Sequence, residues 1–194
     1  MGFCISTLWN GVAIEESDKV ELSLSKCEHN EGLAIEIDAP FYNNAKPNAE
    51  SGVLMGLWDY EVVEAFFLGE NNRYLELEFG PFGHYLVLLL NGSRNIISHS
   101  LNLNDCKAKI DGKRWKANAV IPNDYFPKNV RKFNAYAIHN EGSERKYLAL
   151  YPTPENKFED PDFHRLEYFR EINFKLFFNT NQESDIWKRA VNKT

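Results

Sequence analysis

Apolar and polar residues alternate with period two along most of the chain, the signature of strands with one buried face. Residues 19–25 put Val20, Leu22 and Leu24 on one side, and residues 32–41 put Leu33, Ile35 and Ile37 inward with Glu36 and Asp38 outward. Residues 57–68 depart from this rule. Both parities are apolar, with Tyr60, Val62, Phe66 and Leu68 on one and Val63, Ala65 and Phe67 on the other. That pattern predicts a central strand covered on both faces. A Gly-Asn turn at 69–73 leads into residues 74–79, where Leu75, Leu77 and Phe79 alternate with Tyr74, Glu76 and Glu78. Gly80-Pro81-Phe82-Gly83 then turns into the apolar run 85–90, completing a meander.

Further strands are expected over 3–8, 96–103, 106–110, 113–121, 131–139, 145–151 and 171–178, with an Asp111-Gly112 hairpin signal between 106–110 and 113–121. Residues 122–127 and 163–170 suggest single helical turns. The three prolines of 152–161 exclude regular structure there. Ser184 can cap a short helix at 185–191. The sum is an all-β chain, an antiparallel β-sandwich with short helical turns near the C-terminus. One domain is expected over 1–180, followed by a tail at 181–194.

The chain has 194 residues, and 22 basic against 28 acidic side chains give a net charge of −6. It lacks the broad basic footprint of a nucleic-acid binder, so no nucleic-acid partner is expected. The longest apolar run, 85–90, cannot span a bilayer. No basic and apolar leader opens the chain, so a cytoplasmic location is expected. Cys4, Cys27 and Cys106 are odd in number and widely spaced, which favours free thiols. Residues 1–6 formally fit N-myristoylation of Gly2, against the competing reading of a first strand. Otherwise no membrane partner is expected.

Glu64 stands near the centre of the doubly apolar strand, where an isolated carboxylate is costly. Trp58 precedes it by six positions, nominally on the same face. An aromatic rim beside a carboxylate suits a sugar, whose ring covers the aromatic while its hydroxyls donate to the oxygen atoms. The competing reading pairs Glu64 with Arg73, Arg94 or Arg131. Glu76 and Glu78 share a face at about 7 Å, a spacing used by inverting glycosidases and also common on solvent-facing strands. If Glu64 joins them across the hairpin, like charges raise one pKa, and a hard cation such as Ca²⁺ becomes a candidate ligand. No other cofactor or metal is indicated. The five histidines, His29, His84, His99, His139 and His164, show no zinc spacing. His164 follows the proline-rich loop, at a rim where function is common. Nucleophile-elbow and phosphate-loop motifs are absent.

Residues 57–68, 74–81 and 85–92, with 134–139, 149–152 and 162–169, resemble an uncharacterised animal family known as an open reading frame on human chromosome 4. The run from Trp58 to Phe67, followed by Tyr74-Leu75-Glu76-Leu77-Glu78, is also similar to carbohydrate-binding module family 9 and its DOMON-like relatives. That second resemblance implies a β-sandwich, with Trp58 stacking on a sugar and Glu64 accepting hydroxyl hydrogen bonds. It places Phe163 or His164 where a second Trp closes the clamp, and finds an apolar stretch, 86–90, where a cationic residue is expected.

The function expected is therefore a non-catalytic binding module for a small saccharide or glycan end. Its candidate ligand-binding residues are Trp58, Glu64, Glu76, Tyr151, Phe163 and His164. An interaction or structural β-sandwich with a protein partner is the alternative, and a glycosidase using the strand carboxylates the third. No nucleophile–base pair can be argued from spacing, so the binding reading requires no catalysis.

Overall fold

The computed structural model describes residues 1–27, 32–103, 105–140 and 142–192. In chain order its strands begin with β1 (Gly2–Ile5), β2 (Thr7–Leu8), β3 (Val20–Lys26), β4 (Gly32–Pro40), β5 (Gly52–Val53), β6 (Val62–Leu68) and β7 (Arg73–Phe79). They continue with β8 (His84–Asn91), β9 (Ile96–His99), β10 (Lys107–Asp111), β11 (Arg114–Pro122), β12 (Lys132–His139), β13 (Lys146–Ala149) and β14 (Arg170–Glu171). A helix, α1 (Asp185–Val191), follows. Among the described residues these form a five-stranded sheet, β1-β3-β4-β11-β10, and a nine-stranded sheet built on β2-β13-β12-β6-β7-β8-β5. The pairings are antiparallel except for the short β5–β8 contact. The chain is a β-sandwich, as the alternation predicts.

The core lies between the sheets, where area removed from water supplies the main driving force. Leu22, Leu24, Ile35, Ile37, Trp115 and Ala119 of the smaller sheet meet Val63, Phe67, Leu75, Leu77, Val87 and Phe133 of the larger in one buried cluster. The opposite parity of the larger sheet is covered too. Phe66, Tyr74, Leu86, Leu88, Tyr136 and Ile138 form a second cluster with Phe163 and Phe169, which arrive from the proline-rich segment and the turn after it. All seven residues of β6 are buried. The double apolar character of 57–68 is thus explained by a core on one side and a roof on the other.

Several expected boundaries move. The strand expected over 57–68 begins only at Val62, because Leu57–Asp59 forms a 3₁₀ turn after Gly56, whose φ of 82° lies in the left-handed region. The segment 171–178 does not continue as a strand: after β14 it closes into a 3₁₀ turn at Phe174–Leu176. The amino-terminal strand splits at Ser6, β1 joining β3 and β2 joining β13 in the other sheet. The strand expected over 96–103 ends at His99. The three cysteines are free. His29 lies outside the described residues.

The segment expected as a tail is docked. Ser184 caps α1 by accepting the Trp187 backbone N–H at 3.3 Å, and its own hydroxyl donates to the Asp124 carbonyl at 2.6 Å. Trp187 is fully buried in the main core and donates its Nε1–H to the Tyr125 carbonyl at 2.9 Å. Trp187→Ala is expected to cost about 3–5 kcal/mol through lost burial and a residual cavity. A urea melt followed by circular dichroism checks this, with loss confined to a fraying C-terminus as the contrary result.

Candidate functional site

The roof over the larger sheet is incomplete. Between it and the strands lies a cavity of about 340 Å³. Its floor is made by Glu64 of β6 and Glu76 of β7, with Leu88 and Leu90 of β8. Trp58 and Tyr147 stand at one side, Arg94 and Ile96 at another, and the run Pro161–His164 closes the top.

Each wall has a local cause. Trp58 sits on the 3₁₀ turn that Gly56 initiates, not on a strand, so its place at the cavity does not follow from strand parity. The Arg145 guanidinium holds that turn, donating to the carbonyls of Trp58 and Asp59. Phe163 is fixed by stacking on Tyr136, with centroids 4.0 Å apart and planes 10° apart, and by an edge contact to Tyr147. Asp162 accepts the His164 backbone N–H at 2.9 Å and the Arg94 guanidinium at 2.7 Å. Burial works to raise the Asp162 pKa, but these donors overcome it and hold the carboxyl below its ordinary value. The Tyr74 hydroxyl accepts the Arg94 backbone N–H at 3.0 Å and lies 2.7 Å from His164 Nδ1. The Tyr74 hydroxyl and Nδ1 thus share one hydrogen bond, whose direction follows the tautomer of the ring. Burial, with Arg94 nearby, pushes the His164 pKa down to about 4, so the ring is neutral at physiological pH.

The floor carries the unusual chemistry. Glu64, Glu76 and Glu78 are 2%, 3% and 0% exposed. Glu64 lies directly opposite Glu78 across the β6–β7 pair, and Glu76 is one pleat along. Among the described residues, Oε2 of Glu76 and both carboxyl oxygens of Glu78 have no hydrogen-bond partner except each other's carboxyl, a contact that draws Glu76 down and pushes Glu78 up. Burial pushes the Glu64 carboxyl up to about 8, with the Arg145 charge opposing it. Burial and then the Glu64 charge raise Glu76 and Glu78 well above the ordinary value. The expectation that Glu76 and Glu78 sit on a solvent-facing strand is overturned, since the roof buries that face. The three proposed ion-pair partners of Glu64 are engaged elsewhere or unpaired with it: Arg73 bonds Glu183, Arg94 bonds Asp162, and no described ion pair joins Arg131 to Glu64. Among the described residues, no three His, Cys, Asp or Glu side chains are arranged to hold a metal ion.

Of the six residues expected at a site, the structure brings Trp58, Glu64, Glu76, Phe163 and His164 to this cavity. Tyr151 is elsewhere. It follows the end of β13, its ring lies under the Arg170 guanidinium at 4.8 Å, and it borders a separate small space beside Trp9. Arg94, Asp162 and Tyr147 line the cavity without having been singled out for it. Arg94 follows the Asn91-Gly92 turn and has a φ of 61°, so its position depends on a turn geometry that residue type does not announce. Asp162 stands in the same short run as Phe163 and His164.

No protein-family profile matches the chain. It is 42% identical over 196 residues to the UPF0462 protein C4orf33 homologue of Mus musculus, covering 96% of this chain and all of that one. The chain belongs to the UPF0462 family. The human member, UPF0462 protein C4orf33, is 40% identical with 96% of each chain covered, and the Danio rerio homologue is 39% identical over 98% and 99%. The fold extends beyond UPF0462: the crystal structure of a candidate carbohydrate-binding protein from Bacteroides uniformis superposes with a TM-score of 0.65. That alignment covers 88% of this chain and 84% of the other at 14% identity, a likeness of fold. No helix among the described residues is long and apolar enough to cross a membrane.

The floor makes stability depend on pH in a defined direction. An unfolded glutamate ionises near about 4.3, whereas the buried three keep their protons to higher pH. Between those limits the unfolded chain binds fewer protons than the folded one, so stability falls as pH rises. The melting temperature is expected to drop by about 5 °C or more between about pH 5 and about pH 8, with a shallower decline in Glu78→Gln. Differential scanning calorimetry across that range decides it, and a melting temperature that rises through the window contradicts it.

Proposed function

We propose that this protein is a non-catalytic binding module whose cavity takes a small saccharide or a glycan end. Supporting this reading is the convergence of two aromatic walls and a polar floor on one cavity. Trp58 and Phe163 offer apolar faces suited to the C–H side of a pyranose ring. Glu64 and Glu76 accept hydroxyl protons when ionised and also donate one when protonated, which matches the mixed character of sugar hydroxyls. The neutral His164 ring and the Arg94 guanidinium add further hydrogen-bonding groups at the rim. The cavity's volume is at the small end of the range for ligand pockets, about 300–1,000 Å³, which suits one or two sugar units. The Bacteroides uniformis protein of the same fold adds an independent pointer to the same ligand class.

The test is a tryptophan-fluorescence titration of the full chain with a panel of neutral and amino monosaccharides and disaccharides. At least one sugar is expected to give a saturable change, and Trp58→Ala to weaken its binding by about tenfold, equivalent to about 1.4 kcal/mol. An affinity that Trp58→Ala leaves unchanged removes the reading, as does a panel with no binder.

A further inference from the structure

Given the saccharide reading, on which this rests, we infer that the cavity prefers an N-acetylated amino sugar, seated with its acetamido carbonyl on the Glu76 carboxyl and its methyl on Leu88, Leu90 and Ile96. The floor is divided. Its β6–β7 side presents carboxyls, and its β8–β9 side is aliphatic. Leu88 lies directly opposite Glu76 across the β7–β8 pair, and Ile96 pairs with Leu90 farther along β8. Leu88 and Leu90 are buried, while Ile96, 36% exposed, carries the aliphatic surface out to the rim. Side chains paired across strands stand about 5 Å apart. That is the scale of one acetamido group, which holds an oxygen and a methyl on a single carbon.

The carboxyl side offers protons and no unbalanced charge. Arg94 and Arg145 act on Glu76 and Glu64, and burial keeps both carboxyls protonated at neutral pH. In the contact between Glu76 and Glu78 the second is the donor, so the Glu76 proton is left to serve the cavity. A protonated carboxyl presents an O–H, and a carbonyl oxygen is a matching acceptor. Other sugars leave part of this floor unserved. A hexose hydroxyl can bond Glu76, but its neighbouring hydroxyls then lose water against Leu88 and Leu90, which is costly. A 6-deoxy sugar brings a methyl without a carbonyl. An ammonium would exchange its hydration for an aliphatic wall and a neutral carboxyl, a loss for a charged group. The acetamido group serves both sides, and Trp58 and Phe163 remain for the faces of the ring.

Isothermal titration calorimetry of the full chain at neutral pH tests this. The probes are N-acetylglucosamine, N-acetylgalactosamine and N-acetylmannosamine, the matching hexoses and free amino sugars, fucose, and N-methylacetamide. At least one N-acetylated sugar is expected to bind about tenfold or more tighter than its hexose and amino counterparts and than fucose. Ile96→Ser is expected to lower that preference about threefold by removing aliphatic surface at the rim. Glu76→Gln is expected to keep it, because the amide N–H still donates to the carbonyl and can do so without a charge. Circular dichroism confirms that each variant is folded. Equal binding of N-acetylated sugars and hexoses, or tighter binding of the free amines or of fucose, overturns the inference and leaves the saccharide reading standing. So does a preference that Ile96→Ser leaves unchanged or that Glu76→Gln abolishes. N-methylacetamide binding as tightly as the sugars removes the requirement for a ring, and no binding by any sugar removes both readings.

Discussion

The larger sheet has apolar side chains on both faces, and everything distinctive about this molecule follows from the need to cover both. A sandwich covers one face of each sheet by definition. The second face of β6, β7 and β8 would be left in water without the chain that returns over it after β13. The contact that secures this return is the parallel stack of Phe163 on Tyr136, supported by Phe169 against Phe66 and His164 against the Tyr74 hydroxyl. Once that cover is in place, three glutamates that share the face are sealed beneath it. The cavity is the part of the face that the cover does not fill.

Most of the architecture was legible in the chain because period-two alternation is a local property. Nearly every strand of the two sheets is announced by its own residues, and even the two-sided burial of β6 shows in the parity of Val62 to Leu68. The roof is different. It is made by residues about ninety positions downstream of β7 in a segment without periodicity, so nothing near Tyr74-Leu75-Glu76-Leu77-Glu78 distinguishes a covered face from a wet one. That is why Glu76 and Glu78 read as solvent-facing. Trp58 reaches the cavity although the strand that parity assumed for it is a 3₁₀ turn. Its position is fixed by Gly56 and by Arg145, one of which is visible only as a backbone angle and the other only as a long-range hydrogen bond. Tyr151 shows the reverse failure: proximity in sequence to the roof did not bring it to the cavity.

The electrostatics of the floor and of the rim are opposed. The floor is desolvated and keeps protons that free carboxyls give up, while at the rim Asp162 is held ionised by two donors and Arg94 balances it. Acidity in this chain is therefore of two kinds. Most of its 28 carboxylates are solvated surface charge, whereas three adjacent ones are an internal store of protons beneath an open cavity. Burial of such groups costs stability, and how much depends on whether they hold their protons.

The split of the amino-terminal segment at Ser6 has a consequence of another sort. β1 pairs along the outer side of β3 in the smaller sheet and β2 along the outer side of β13 in the larger. One short stretch of chain thus shields an edge of each sheet, where unpaired backbone groups would otherwise offer a template to a neighbouring molecule. Detachment of this single strap would bare the β3 and β13 ladders at once, one in each sheet, and the second of these carries Tyr147 of the cavity wall.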